Sequence, residues 1–120
     1  MTTLGLALTS IVMSVCAQFA FKTGMSSLRS DGSARTSLWH VLSEAAMQPA
    51  ILAGFALYGL SAVIWLRVLS EWDVSKAYPM VGLGFVLSLL VGLMLGEAVG
   101  GQRLLGAALI LIGAYVISRS

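Results

Sequence analysis

Few of the residue types that build soluble active sites are present in this chain. It holds one cysteine, Cys16, so neither an internal disulfide nor a cysteine metal set can form. Its one histidine, His40, has no second histidine or paired carboxylate close in sequence and reads as a solvated residue. Only 10% of the 120 residues are charged, which is well below the level of a soluble domain. The net charge of +2 is too small for a nucleic-acid binder. Walker sequences, nucleophile elbows and metal-ligand spacings are all missing, so no enzyme, ATP-driven pump, cofactor or metal is expected. A basic region before the first apolar run is lacking too, since only Met1, Thr2 and Thr3 precede Leu4. Nor does a small residue stand directly before Cys16, so a cleaved leader is not expected.

What fills the chain is apolar. A hydrophobic share of 58% and a mean hydropathy of +0.95 point to an integral membrane protein. Four runs, at 4–21, 50–69, 77–96 and 102–118, are long enough to cross about 30 Å of hydrocarbon. All four should be helical, because lipid offers the backbone no hydrogen-bond partner. The last run is short and needs Arg103 to snorkel. The expected fold is therefore all-α and integral to the membrane, one domain of four transmembrane helices over residues 1–120. Residues 23–48 read as a connection, flexible over 26–37. Within it, Leu38, Trp39, Val41, Leu42, Ala45 and Ala46 alternate with His40, Ser43 and Glu44. That pattern fits either a short amphipathic interfacial helix or an extension of the second span. Trp39, Trp72 and Tyr115 read as belt aromatics, with Trp65 deeper.

Orientation is weakly specified. One membrane face carries Arg67, Lys76 and Arg119, and the other carries Lys22, Arg29, Arg35 and Arg103. Such a chain can insert both ways and pair with its own inverted copy. Small residues also favour a dimer: Gly92 and Gly96 form a GxxxG pair, and Gly106, Ala107, Gly113 and Ala114 give the last helix small faces.

The first span carries a polar ladder, Ser10, Ser14, Gln18 and Lys22, at steps of four. Residues so spaced share one side of a helix. Polar groups in a span cost free energy unless they meet protein or a wet cavity. Lys22 is either an interfacial anchor or a counter-charge for an anionic headgroup. Glu97 and Arg103 fall on the same membrane face, so three ionisable groups converge on one cavity mouth. Glu97 is expected to hold Lys22 or Arg103 when the site is empty, or to bind an amine on the substrate. Tyr78 and Pro79 open the third span and Gly82 and Gly84 follow, a set that reads as a hinge or as a tolerated first-turn proline.

The four-helix size, the polar first helix, the Ala77-Tyr78 start of the third helix and the glycine pair after it resemble the small multidrug resistance family of the drug/metabolite transporter superfamily. Drug-exporting members carry a membrane-embedded glutamate in the first helix, and that position falls at Ser14 here. Without the carboxylate nothing couples proton and drug fluxes. The chain is more similar to the small flippase subunits that move aminoarabinose-phosphoundecaprenol across the bacterial inner membrane. The stretch Ser14-Val15-Cys16-Ala17-Gln18-Phe19-Ala20-Phe21-Lys22 looks like their first-helix signature. The run from Trp65-Leu66 to Val74, then Ala77-Tyr78-Pro79-Met80, resembles their second and third helices, and Glu97 stands where they carry a glutamate.

This resemblance implies a multi-pass inner-membrane flippase for a polyprenyl-phosphate lipid or lipid-linked aminosugar, acting as an antiparallel homodimer or paired with a paralogous small subunit. Ser10, Ser14, Gln18, Lys22, Tyr78, Glu97 and Arg103 would contact substrate, and Pro79, Gly82 and Gly84 would form the hinge. The alternatives are a small polar-solute or cationic drug exporter using Glu97, and a non-transporting accessory membrane subunit.

Overall fold

A backbone in hydrocarbon must satisfy its own amides and carbonyls. The computed structural model describes residues 2–30 and 38–120. Its described residues form helices α1 (Thr3–Ser30), α2 (Leu38–Met47), α3 (Pro49–Glu71), α4 (Val74–Met80), α5 (Gly82–Met94) and α6 (Gly101–Ser118), and no strand. Four segments are long and apolar enough to span: Thr3–Ser27, Pro49–Glu71, Val74–Met94 across α4 and α5, and Gly101–Ser118. The chain is an all-α, four-helix membrane protein, as the apolar runs predict.

The first helix is longer than its apolar run. Residues 23–30, expected as connection, continue α1 because packing on α3 extends past Lys22. Gly24 is buried, and a side chain there would run into Ile51 and Gln48. The expected loop over 31–37, with Arg35, and the side chains of Arg29 and His40 lie outside the described residues. Helix α2 is separate from α3. Gln48 is extended (φ −85°, ψ 120°) because the ring of Pro49 disfavours helical backbone just before it. Outward, α2 leaves Leu38, Trp39, Leu42 and Met47 exposed.

The third span is interrupted. Pro79 has no N–H to give, and the Val81 amide bonds the Tyr78 carbonyl at 3.0 Å, one i→i+3 turn between two α-helical pieces. Val81 keeps helical dihedrals (φ −59°, ψ −25°), so the axis is tightened rather than folded back.

At the far end of α5 the GxxxG reading fails. Helix α5 stops at Met94, and Gly96 is left-handed with φ +86°. The Glu97 amide donates to the Gly92 carbonyl at 2.9 Å and the Gly96 amide to the Leu93 carbonyl at 3.1 Å. This is a Schellman cap, which needs glycine at the left-handed position. Gly92 and Gly96 therefore do not share a helix face.

Burial follows membrane logic. Ala7, Ala17, Gly54, Ser61, Ala77 and Ala114 are buried, while large residues such as Leu60, Val63, Leu66, Leu109 and Ile112 point outward. Lipid is as apolar as leucine, so helices associate through close approach of small residues rather than by hiding large ones. Ala7, Val68 and Ala77 form a fully buried knot between α1, α3 and α4. Phe21 fills the space over Gly54 and meets Phe55 with ring centroids 4.8 Å apart.

Candidate functional site

The polar ladder on α1 divides between two cavities. Each step of four residues turns about 40° beyond a full circle, so three steps rotate the row by about 120°. Ser10 and Ser14 accordingly face α3 and α4, in a cavity of about 250 Å³ shared with Tyr58, Ser61, Trp65 and Tyr78. Gln18 and Lys22 face α5, in a cleft of about 480 Å³ with Ser88 and Glu97. The single continuous edge expected from the spacing is not what forms.

Ser10 is spent on packing. It is buried, and its hydroxyl donates to the Ser61 carbonyl at 2.7 Å, tying α1 to α3. Ser14 is half-buried and donates back to the Ile11 carbonyl at 2.9 Å, which leaves its lone pairs toward the inner cavity. Tyr78, on α4, closes the other side of that cavity and is 70% exposed.

The outer cleft brings the ionisable groups together. Lys22 and Glu97 line the same wall space, and Glu97 reaches a second groove of about 380 Å³ that contains Arg103. The three residues lie at one end of the bundle, but Lys22 and Arg103 line different compartments rather than the single cavity mouth expected. The expected resting ion pair does not form. Among the described residues neither Lys22 nor Arg103 pairs with Glu97, whereas Arg67 pairs with Glu71 at 3.3 Å. The Arg103 guanidinium donates to the Ala98 carbonyl at 3.2 Å. At the opposite end each cation has a local partner: Arg67 has Glu71, Lys76 lies 4.6 Å from the Trp72 ring centre, and Arg119 bonds the Tyr115 hydroxyl at 3.0 Å. Among the described residues Lys22 has neither ring nor carboxylate partner, and it borders a cleft.

Glu97 is held by its backbone. The Schellman cap fixes its amide, and the flat surface of Gly92 lets its carboxylate fold against the helix end. Ser88, which belongs to no polar row in the sequence, lines both the cleft and the groove. Its signal was available: it is the single polar side chain in α5, bonded to the Gly84 carbonyl at 2.7 Å. Tyr58 and Ser61 were missed for want of any periodic pattern.

Comparison with known proteins adds to this geometry. The chain is similar to the probable 4-amino-4-deoxy-L-arabinose-phosphoundecaprenol flippase subunit ArnE of Pseudomonas savastanoi pv. phaseolicola, 49% identical over 65 residues. That match takes in 53% of this chain and 57% of the relative. Similarity to the corresponding ArnF subunit of Photorhabdus laumondii is 36% over 73 residues, 58% of each chain. The probable ArnF subunit of Shewanella sediminis aligns over 122 positions at 33% identity, covering 93% of this chain and 84% of the relative. The chain belongs to this ArnE/ArnF family. The match to the ArnE relative and to the Photorhabdus ArnF spans little more than half of their length. No family model matches the chain, and no solved structure does. Membership of the ArnE/ArnF family agrees with the likeness read from the first-helix signature and the Trp65 to Met80 region.

Proposed function

We propose that this chain is a subunit of a flippase that carries a polyprenyl-phosphate lipid, with or without a sugar attached, between the leaflets of a bacterial inner membrane. The observation that carries the reading is the cleft of Gln18, Lys22, Ser88 and Glu97, in which the Lys22 ammonium has no ring or carboxylate partner among the described residues. A phosphate entering bare hydrocarbon faces a barrier of many kcal/mol, so a wet, positively biased groove lowers it. Lys22 and Arg103 hold the phosphate through charge-assisted hydrogen bonds, while Gln18 and Ser88 replace lost water. The headgroup then passes to the inner cavity, where Ser14 and Tyr78 receive it. The turn at Val81, between Pro79 and Gly82, lets α4 move against α5, which supports alternating access with a second subunit. That subunit is an inverted copy or a paralogue; relatives of this chain carry both the ArnE and the ArnF name.

A proton-coupled drug exporter fits less well. Its carboxylate sits within the membrane, whereas Glu97 lies on the turn after α5.

The decisive experiment is lipid flipping in liposomes by the purified chain, alone and with its partner subunit, using an accessible-headgroup assay. Lys22→Ala is expected to abolish flipping while the helical content and oligomeric size stay unchanged. Flipping at the normal rate in that variant ends the phosphate-site reading.

A further inference from the structure

We propose that the groove between α5 and α6 seats the first isoprene units of the carrier lipid, so that tail and phosphate are held by two adjoining compartments. This rests on the flippase reading above and extends it to the part of the substrate that the cleft cannot accommodate. The groove, about 380 Å³, is amphipathic along its length. Its charged end holds Glu97 and Arg103, and its walls are Phe85, Leu89 and Ile110, with Ser88 beside Leu89 on α5. Arg103, Gly106, Ala107 and Ile110 fall on one side of α6, at steps of three and four. From Arg103 to Ile110 the helix rises about 10 Å. A phosphate with a hydrocarbon chain has the same layout: charge at the surface, apolar length toward the bilayer centre.

Continuity decides between this occupant and another. Ser88 and Glu97 border both the groove and the Lys22 cleft, so the two compartments adjoin along α5 and a molecule with its phosphate beside Glu97 lies next to both. A second copy of the chain laid in the groove would have to cover Arg103 and Glu97, and burying charges without partners is unfavourable. Room is available as well. A Cβ built on Gly106 would meet no atom within 4 Å.

The groove contributes position rather than affinity. Surrounding lipid solvates an isoprenoid as well as protein does, so little free energy is gained on entry. Holding the tail against α6 keeps the phosphate beside Arg103 and Lys22, which raises its local concentration at the cleft.

The open space at Gly106 supplies the test. Gly106→Leu projects into the groove from a position where a Cβ meets no atom within 4 Å, and Ala108→Leu, at an exposed position of α6 outside the groove, is the control. The probe is undecaprenyl phosphate carrying a diazirine in its phosphate-proximal isoprenes, photolysed in liposomes and mapped by mass spectrometry. Wild-type label is expected around Phe85, Leu89 and Ile110. In Gly106→Leu that label and the flipping rate fall several-fold, while Ala108→Leu matches wild type. Lys22-dependent binding of methyl phosphate, a phosphomonoester with no isoprene unit, is retained in Gly106→Leu. If labelling in Gly106→Leu equals wild type while Lys22→Ala fails to flip, the tail seat is wrong and the phosphate site stands. If Lys22→Ala flips normally, the underlying reading is wrong. A change of oligomeric size in Gly106→Leu alone would assign the groove to a second copy and overturn the proposal.

Discussion

The Glu97 carboxylate rests directly on Gly92: a Cβ on that glycine would stand 2.9 Å from Oε1 and 3.2 Å from Cδ. The same two residues are joined through their backbones by the 2.9 Å bond from the Glu97 amide to the Gly92 carbonyl. Gly92, Gly96 and Glu97 thus work as one device that ends α5 and aims an acidic group at the junction of two compartments.

Two substitutions separate the parts of this device. Gly92→Ala displaces only the end of a flexible side chain, so stability is expected to change little while flipping falls. Gly96→Ala forces a Cβ into left-handed backbone, at a cost of about 1–2 kcal/mol. Thermal unfolding in detergent and liposome flipping, measured on both variants, check the contrast. Equal loss of stability in the two would contradict it.

Ser10 and Lys22 are expected to behave oppositely although both belong to the ladder. Ser10→Ala removes the interhelical bond to the Ser61 carbonyl, worth about 0.6 kcal/mol for such a bond in a membrane. Flipping per folded molecule should be unaffected, whereas Lys22→Ala leaves stability alone and stops transport. Stability and rate measured side by side test this, and a Ser10→Ala protein that folds fully but cannot flip would return Ser10 to the site.

Glycines flanking the break in the third span differ in the room around them. A Cβ at Gly82 would approach Ile110 Cγ2 to 2.8 Å, and the β-branched neighbour has little freedom to retreat. Gly82→Ala is expected to destabilise the α5–α6 contact by about 1–3 kcal/mol. Gly84→Ala meets Val15 at an ordinary 3.4 Å and gains helix propensity, so it should be neutral or stabilising. If Gly84→Ala nevertheless slows flipping, bending at that position takes part in transport.

Proton coupling through the first helix is not expected, since Ser14 offers no titrating group and bonds the Ile11 carbonyl. Flux in wild type and in Ser14→Ala should be indifferent to an imposed pH gradient. A gradient-driven flux lost on substituting Ser14 would show otherwise.

How much was legible in the sequence differed from element to element. Spans at 50–69 and 102–118 became helices 49–71 and 101–118, because length and apolarity alone set a crossing helix. The end of α1 is not legible in the apolar pattern: its last turns are polar, and Gly24 within them packs against Gln48 and Ile51. Gly92 and Gly96 look like a packing motif in one dimension, and the sign of one φ angle turns them into a cap.

The sequence by itself determined the solvent this protein lives in, the number of crossings and the set of polar groups taken into the membrane, since each follows from composition and run length. Tertiary structure decided how those groups are shared. The 3.6-residue turn carries a four-step row around α1, so which helix stands opposite each rung settles whether it packs, as Ser10 does, or borders a cleft, as Gln18 and Lys22 do.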